Sequence, residues 1–285
     1  MSDAIFYYRI PGRAGGYRPG AHAGRMAGTG NEFKSHARLS DCPDPRRLDL
    51  RASLRAGRDE WLVRLYRQRA AVPVHAVVDV SASMEVGAPR RKLDVAASFV
   101  EIMGNSAFKV GDPAGLRAFD GGSREDLFVP ARHSRGAGQA MASLIAQSER
   151  APARSQGCGL VSALQTLAGR HGLVFLVSDF HWPLKEMAAA LDLLERAWVV
   201  PLVIWDPSEI SPPDTTGFVR LRDAERGQVR PVWLNSALRD KWVAGIAARR
   251  QELNTLFASR RLRPIFVTGA FTAEALSQYF LESFP

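Results

Sequence analysis

Asp79, Ser81 and Ser83 follow the apolar run Val74-His75-Ala76-Val77-Val78, spaced so that one tight loop carries a carboxylate and two hydroxyls. Three oxygen donors at the end of a buried strand suit a hard divalent cation, Mg²⁺ or Mn²⁺. Such an ion keeps waters and an open position for a ligand from elsewhere. A second carboxylate, Asp179, stands directly after another apolar run, Leu173 to Ser178. Together the two segments point to a metal-dependent binding face. The plainer reading of Asp-x-Ser-x-Ser is a turn whose side chains bond nearby amides. His181 and Trp182 follow Asp179, and they either line the same rim or pack the loop.

Enzyme chemistry finds less support. The chain has no Gly-x-Ser-x-Gly elbow and no Gly-x-x-x-x-Gly-Lys phosphate loop. Ser81 occupies the position where a phosphatase with an aspartyl nucleophile needs its second Asp. The histidines are dispersed, and Cys42 and Cys158 form neither a disulfide framework nor a zinc motif. The alternative that survives is a metal-assisted hydrolase, with Asp79 and Asp179 holding an ion that polarises a phosphoester.

These loops need a parallel sheet to hold them. Strands are expected at Val74–Val78, Gly115–Phe119, Glu125–Pro130, Leu173–Ser178, Trp198–Trp205 and Pro264–Val267. Helices are expected at Lys92–Phe108, Gly138–Gln147, Leu160–Ala168 and Leu184–Arg196, then from Asn235 to about Arg260 and over Thr272–Phe284. The alternation predicts an α/β fold with helices on both faces and ligands at the carboxyl ends of the strands, where Asp79 and Asp179 both fall. A β-hairpin is expected over residues 218–233, so the extension after Trp205 reads hairpin, helix, strand, helix. Residues 1–71, rich in Gly, Pro and Arg, read as an irregular segment packed on a main domain of residues 72–285. Their one clear strand candidate is Trp61–Tyr66.

Of the formal net charge of +9, +7 lies in residues 1–71, which hold 14 Lys and Arg against 7 Asp and Glu. The arginines there alternate with Gly, Pro and acids and build no basic helix, which argues against nucleic acid as partner. No window offers the ~20 uncharged apolar residues of a membrane span, and Met1–Ile10 has no signal-peptide core. The cytoplasm is the expected address.

The Asp-x-Ser-x-Ser loop resembles the metal-ion-dependent adhesion site of von Willebrand factor A-type domains. That resemblance implies a doubly wound, mostly parallel sheet, with metal held by Asp79, Ser81, Ser83 and Asp179. Relatives have a Thr where this chain has Cys158, and a thiol is a poor ligand for Mg²⁺. Water, Ser155 or Gln156 fills that place, or the socket binds metal weakly or not at all. A wider resemblance covers about residues 9–283. It rests on Arg18-Pro19-Gly20-Ala21-His22, Gly28-Thr29-Gly30-Asn31-Glu32-Phe33, Asp44-Pro45-Arg46-Arg47-Leu48-Asp49, Val77 to Met84, the Lys92 helix, Gly111-Asp112-Pro113-Ala114-Gly115-Leu116 and the Asp223-to-Gly227 hairpin. These segments are similar to the bacterial domain-of-unknown-function 58 family. The resemblance implies a non-catalytic adaptor working with a MoxR-type AAA+ ATPase. Its task would be assembly or maturation of a client that supplies an acidic ligand, such as methanol dehydrogenase.

Overall fold

The computed structural model describes residues 4–10, 19–28, 32–57, 60–148, 158–214, 216–222 and 228–283. The chain divides into two compact units, residues 10–72 and residues 1–9 with 73–285.

In the smaller unit, β1 (Pro19–Gly28), β2 (Glu32–Arg38), α1 (Leu50–Ala56) and β3 (Leu62–Ala70) follow in order. The strands form an antiparallel sheet with β3 in the centre. This corrects the expectation of an irregular segment. The strands are bulged, with register shifts between Pro19 and His22, between Ala23 and Ala27, and between Phe33 and Ser35. Each bulge resets the period-two alternation that marks a strand in sequence. Asp49 organises the unit by capping α1 through the Ala52 amide at 3.1 Å and accepting the Arg64 guanidinium of β3 at 2.8 Å.

The larger unit contains β4 (Val74–Asp79), α2 (Lys92–Val110), β5 (Ala114–Phe119), β6 (Val129–Arg132), α3 (Ala137–Ala146), α4 (Cys158–Leu164), β7 (Leu173–Ser178), α5 (Met187–Leu193), β8 (Trp198–Trp205), α6 (Pro207–Ile210), β9 (Gly217–Arg222), β10 (Val229–Leu234), α7 (Ser236–Ser259), β11 (Ile265–Thr268) and α8 (Ala273–Ser283). Six strands make one sheet in the order β11-β8-β7-β4-β5-β6, parallel except for β6; β9 and β10 pair as a separate hairpin. The strand expected at Glu125–Pro130 begins instead at Val129, because Glu125–Leu127 closes a 3₁₀ turn. The Leu160 and Leu184 helices are likewise shorter than expected, each sharing its span with a 3₁₀ turn.

Apolar helices cover both faces. On one, Val77, Val174, Leu176 and Val203 pack with Leu160 and Leu164 of α4, Met187 of α5, and Leu253 and Phe257 of α7. On the other, Phe175 meets Phe99 of α2 and Phe280 of α8, and Phe6, from the start of the chain, inserts between them. Phe6 is fully buried, and the neighbouring Tyr7 amide donates to the Ser277 hydroxyl of α8 at 3.1 Å.

The strand order reverses at β4, whose neighbours are β5 and β7. Val78 lies opposite Val177, so Asp79 ends its strand beside Ser178. A crevice opens at such a point at the carboxyl ends of the strands. One close approach fixes the neighbouring wall. A Cβ on Gly159, in the first turn of α4, would fall 2.4 Å from the Asp120 carbonyl oxygen. Gly159→Ala should therefore lower stability by about 1–3 kcal/mol through backbone displacement, measurable by urea denaturation. A neutral substitution would mean that α4 can withdraw from this turn at no cost.

Candidate metal centre

Asp79, the last residue of β4, is wholly buried. Its Oδ1 accepts the Ser81 amide at 2.9 Å, while Oδ2 accepts the Ser178 hydroxyl at 2.6 Å and the Trp182 indole N–H at 3.1 Å. All these donors are neutral. Burial, and then the neighbouring charge of Asp179, push the Asp79 carboxyl up to about 6. Above that pH the site holds a buried negative charge, and no described Lys, Arg or His forms an ion pair with it. Beside it the Ser81 and Ser83 hydroxyls lie 3.1 Å apart. An uncompensated carboxylate with two converging hydroxyls is an all-oxygen donor set that fits Mg²⁺ or Mn²⁺.

Asp179 is buried equally deeply but is compensated differently. Its Oδ2 accepts the Lys92 ammonium at 2.6 Å and its Oδ1 the His181 amide at 3.1 Å. Burial alone would raise this carboxyl. The ammonium, with His181, outweighs that effect and holds it below the usual carboxylate range. Lys92 is the first residue of α2, only 2 % exposed, and its Nζ also lies 2.6 Å from Glu209 Oε1. Burial works against its proton, yet the two acids keep its pKa above the ordinary lysine value. Glu209 comes from α6, where Asp206 and Glu209 form a capping box. Neither residue stands among the site candidates that the sequence marks, although Lys92 opens an expected helix. The signal for Lys92 was a pair of cations, Arg91 and Lys92, at a helix N-terminus, where the macrodipole disfavours positive charge unless acids face it.

The loop after β7 is held from outside. Phe180 adopts a left-handed backbone, φ 53°, although it is not glycine and is buried. Arg249 of α7 stabilises this turn by donating to the Phe180 carbonyl, at 3.0 Å from Nε, and to the Trp182 carbonyl. Trp205 donates its indole N–H to the Asp179 carbonyl at 2.9 Å, and Trp242 of α7 donates to the Glu209 carbonyl at 2.7 Å. His181 stacks on Trp205 at 5.9 Å between ring centroids, with Nε2 3.4 Å from Glu209 Oε2.

The fold thus gathers Asp79, Ser81, Ser83, Asp179 and His181 at one end of the sheet. Cys158 opens α4, whose second residue abuts the Asp120–Gly122 turn. Ser155 lies outside the described residues.

Two outcomes follow from this geometry. A folded-state pKa raised above the unfolded value favours folding below the unfolded value and loses that contribution as pH rises through the folded one. In chelator, the stability difference between wild type and Asp79→Ala should therefore fall between about pH 4 and 7, most steeply below about 6; a flat difference in calorimetric scans would show that Asp79 does not titrate there. Arg249→Ala should cost about 1–3 kcal/mol through the carbonyls it leaves unpaired. It should also speed amide hydrogen exchange over residues 179–182, and unchanged exchange there would show that α7 does not hold the loop.

Residues 42–252 match the sequence profile described as "Protein of unknown function DUF58". Uncharacterized proteins of Mycobacterium tuberculosis and Mycobacterium bovis are each 30% identical over 239 residues, covering 82% of this chain and 73% of theirs. Among solved structures, a conserved hypothetical protein BatB from Bacteroides thetaiotaomicron aligns with TM-score 0.45 and 17% identity, over 75% of this chain and 98% of its own. An aerotolerance-related membrane protein from Bacteroides fragilis aligns over the same shares with TM-score 0.46 and 14% identity. Among the described residues of this chain, no helix is long and apolar enough to cross a membrane. With the profile spanning most of its length, the chain belongs to the DUF58 family.

Proposed function

We propose that this chain is a non-catalytic interaction module of the von Willebrand factor A type, which engages a partner's carboxylate through a divalent cation. The observation that carries the reading is the asymmetry of the two buried acids. Asp179 has its own ammonium, whereas Asp79 is buried among neutral donors next to two hydroxyls. Asp79, Ser81 and Ser83 would hold Mg²⁺ or Mn²⁺, with Asp179 supporting them from behind. When bound, the ion would supply an open coordination position for an Asp or Glu of the partner. A binding role, in preference to hydrolysis, is supported by the way both carboxylates are already held. Each accepts hydrogen bonds on both oxygens, which favours fixed acceptors over a mobile general base.

The resemblance described above supplies the partner class, a MoxR-type AAA+ ATPase, with a client such as methanol dehydrogenase. A metal-mediated contact sheltered from water binds more strongly than an exposed ion pair, so one carboxylate can govern recognition.

Calorimetric titration of the metal-stripped protein should show Mn²⁺ binding that weakens at least tenfold, about 1.4 kcal/mol, in Ser81→Ala, with circular dichroism unchanged. Capture of the ATPase from the same host should be lost in that variant and in chelator. Retention in both, or turnover of phosphoesters by the purified protein, would defeat the proposal.

A further inference from the structure

The surroundings of Asp79 and Asp179 differ in kind. The carboxylate oxygens of Asp179 and Glu209 and a ring nitrogen of His181 all lie within 4.8 Å of one another. These are nitrogen and oxygen donors of the kind first-row ions take at about 2.0–2.2 Å. The Lys92 ammonium stands 2.6 Å from Asp179 Oδ2 and 2.6 Å from Glu209 Oε1. Its position is built in from the backbone outward. The Lys92 amide bonds the Val86 carbonyl at 3.0 Å, the Arg91 amide donates to the Asp94 carboxylate at 3.3 Å at the start of the helix, and the Lys92 side chain is buried.

We propose that Lys92 is a built-in cation. Its ammonium fills the cation position formed by Asp179, His181 and Glu209, fixes the loops after β7 and β8 to the start of α2, and confines an incoming divalent ion to the Asp79, Ser81 and Ser83 half. Lys92 is a positioning residue in this arrangement, since it acts on the socket through Asp179 and Glu209. An ammonium is held by the chain and cannot be chelated or exchanged, so this half of the socket keeps its charge balance whatever the metal supply. The inference rests on the proposed metal reading only where it assigns the other half, and the test separates the two.

Full-length, metal-stripped protein would be titrated with Mn²⁺, followed by electron paramagnetic resonance, and with Co²⁺, followed by visible absorption. Wild type should take up a single equivalent and show no absorption dependent on His181. Lys92→Met should gain a second equivalent and a Co²⁺ band that disappears in Lys92→Met/His181→Ala, while Lys92→Arg should behave as wild type. A folded Lys92→Met that binds no additional ion overturns the proposal, as does a His181-dependent band in wild type. If Lys92→Met is unfolded in chelator, Co²⁺ must restore its folded dichroism and that of Lys92→Gln, and failure to do so counts against the built-in cation. Adding Ser81→Ala to Lys92→Met tells the readings apart. Loss of the first equivalent alone supports both, whereas retention of both equivalents supports Lys92 while sinking the Asp79 cradle.

Discussion

Taking a carboxylate out of water costs several kcal/mol even after the protein relaxes, and this molecule does so twice at the ends of adjacent parallel strands. The two charges also raise each other's energy. Much of the surrounding structure answers that demand. An ammonium from the start of α2 reaches Asp179, a hydroxyl from β7 and an indole from the following turn reach Asp79, and Glu209 of α6 completes the ammonium's coordination. Losing one member of a buried ion pair typically costs about 3–5 kcal/mol, so the pairing around Asp179 is a structural requirement as much as an electrostatic one. Asp79 alone is left with neutral donors. On the function proposed above, a divalent cation would supply the charge that Asp79 lacks.

The second requirement is that these donors stay aimed. A left-handed, buried Phe180 is a strained way to turn a chain, and it persists because Arg249 accepts the task of satisfying the carbonyls that the turn exposes. Trp205 and Trp242 add contacts from β8 and α7. Position and charge are therefore set by different elements. The sheet brings the acids together, and the helices beyond β8 keep their loops in register. Donors held in place in advance would lose little entropy on meeting a ligand.

How far could the residues alone disclose this? Val74–Asp79, Leu173–Ser178 and Trp198–Trp205 are nearly continuous apolar runs, and the sheet they form is legible because strands buried on both faces need such runs. The cradle was legible for a related reason, as Asp79, Ser81 and Ser83 lie within five residues of one another. Lys92, Glu209 and Arg249 were not. They reach the site across 87, 117 and 69 residues of chain respectively, measured to their partners Asp179, Lys92 and Phe180, and each has an ordinary local role on its own helix. The smaller unit was obscured by bulges, which break the alternation that identifies an isolated strand.

Phe6 gives this architecture a temporal aspect. Its burial site is made partly by Phe280, and the Tyr7 amide next to it finds its acceptor 270 residues further along the chain. During synthesis Phe6 cannot complete this packing until α8 has left the ribosome. The smaller unit, continuous in sequence from residue 10 to residue 72, faces no such delay. Translation thus completes the two units in reverse order of their first residues, and through that interval Phe6 lacks the packing that α8 supplies.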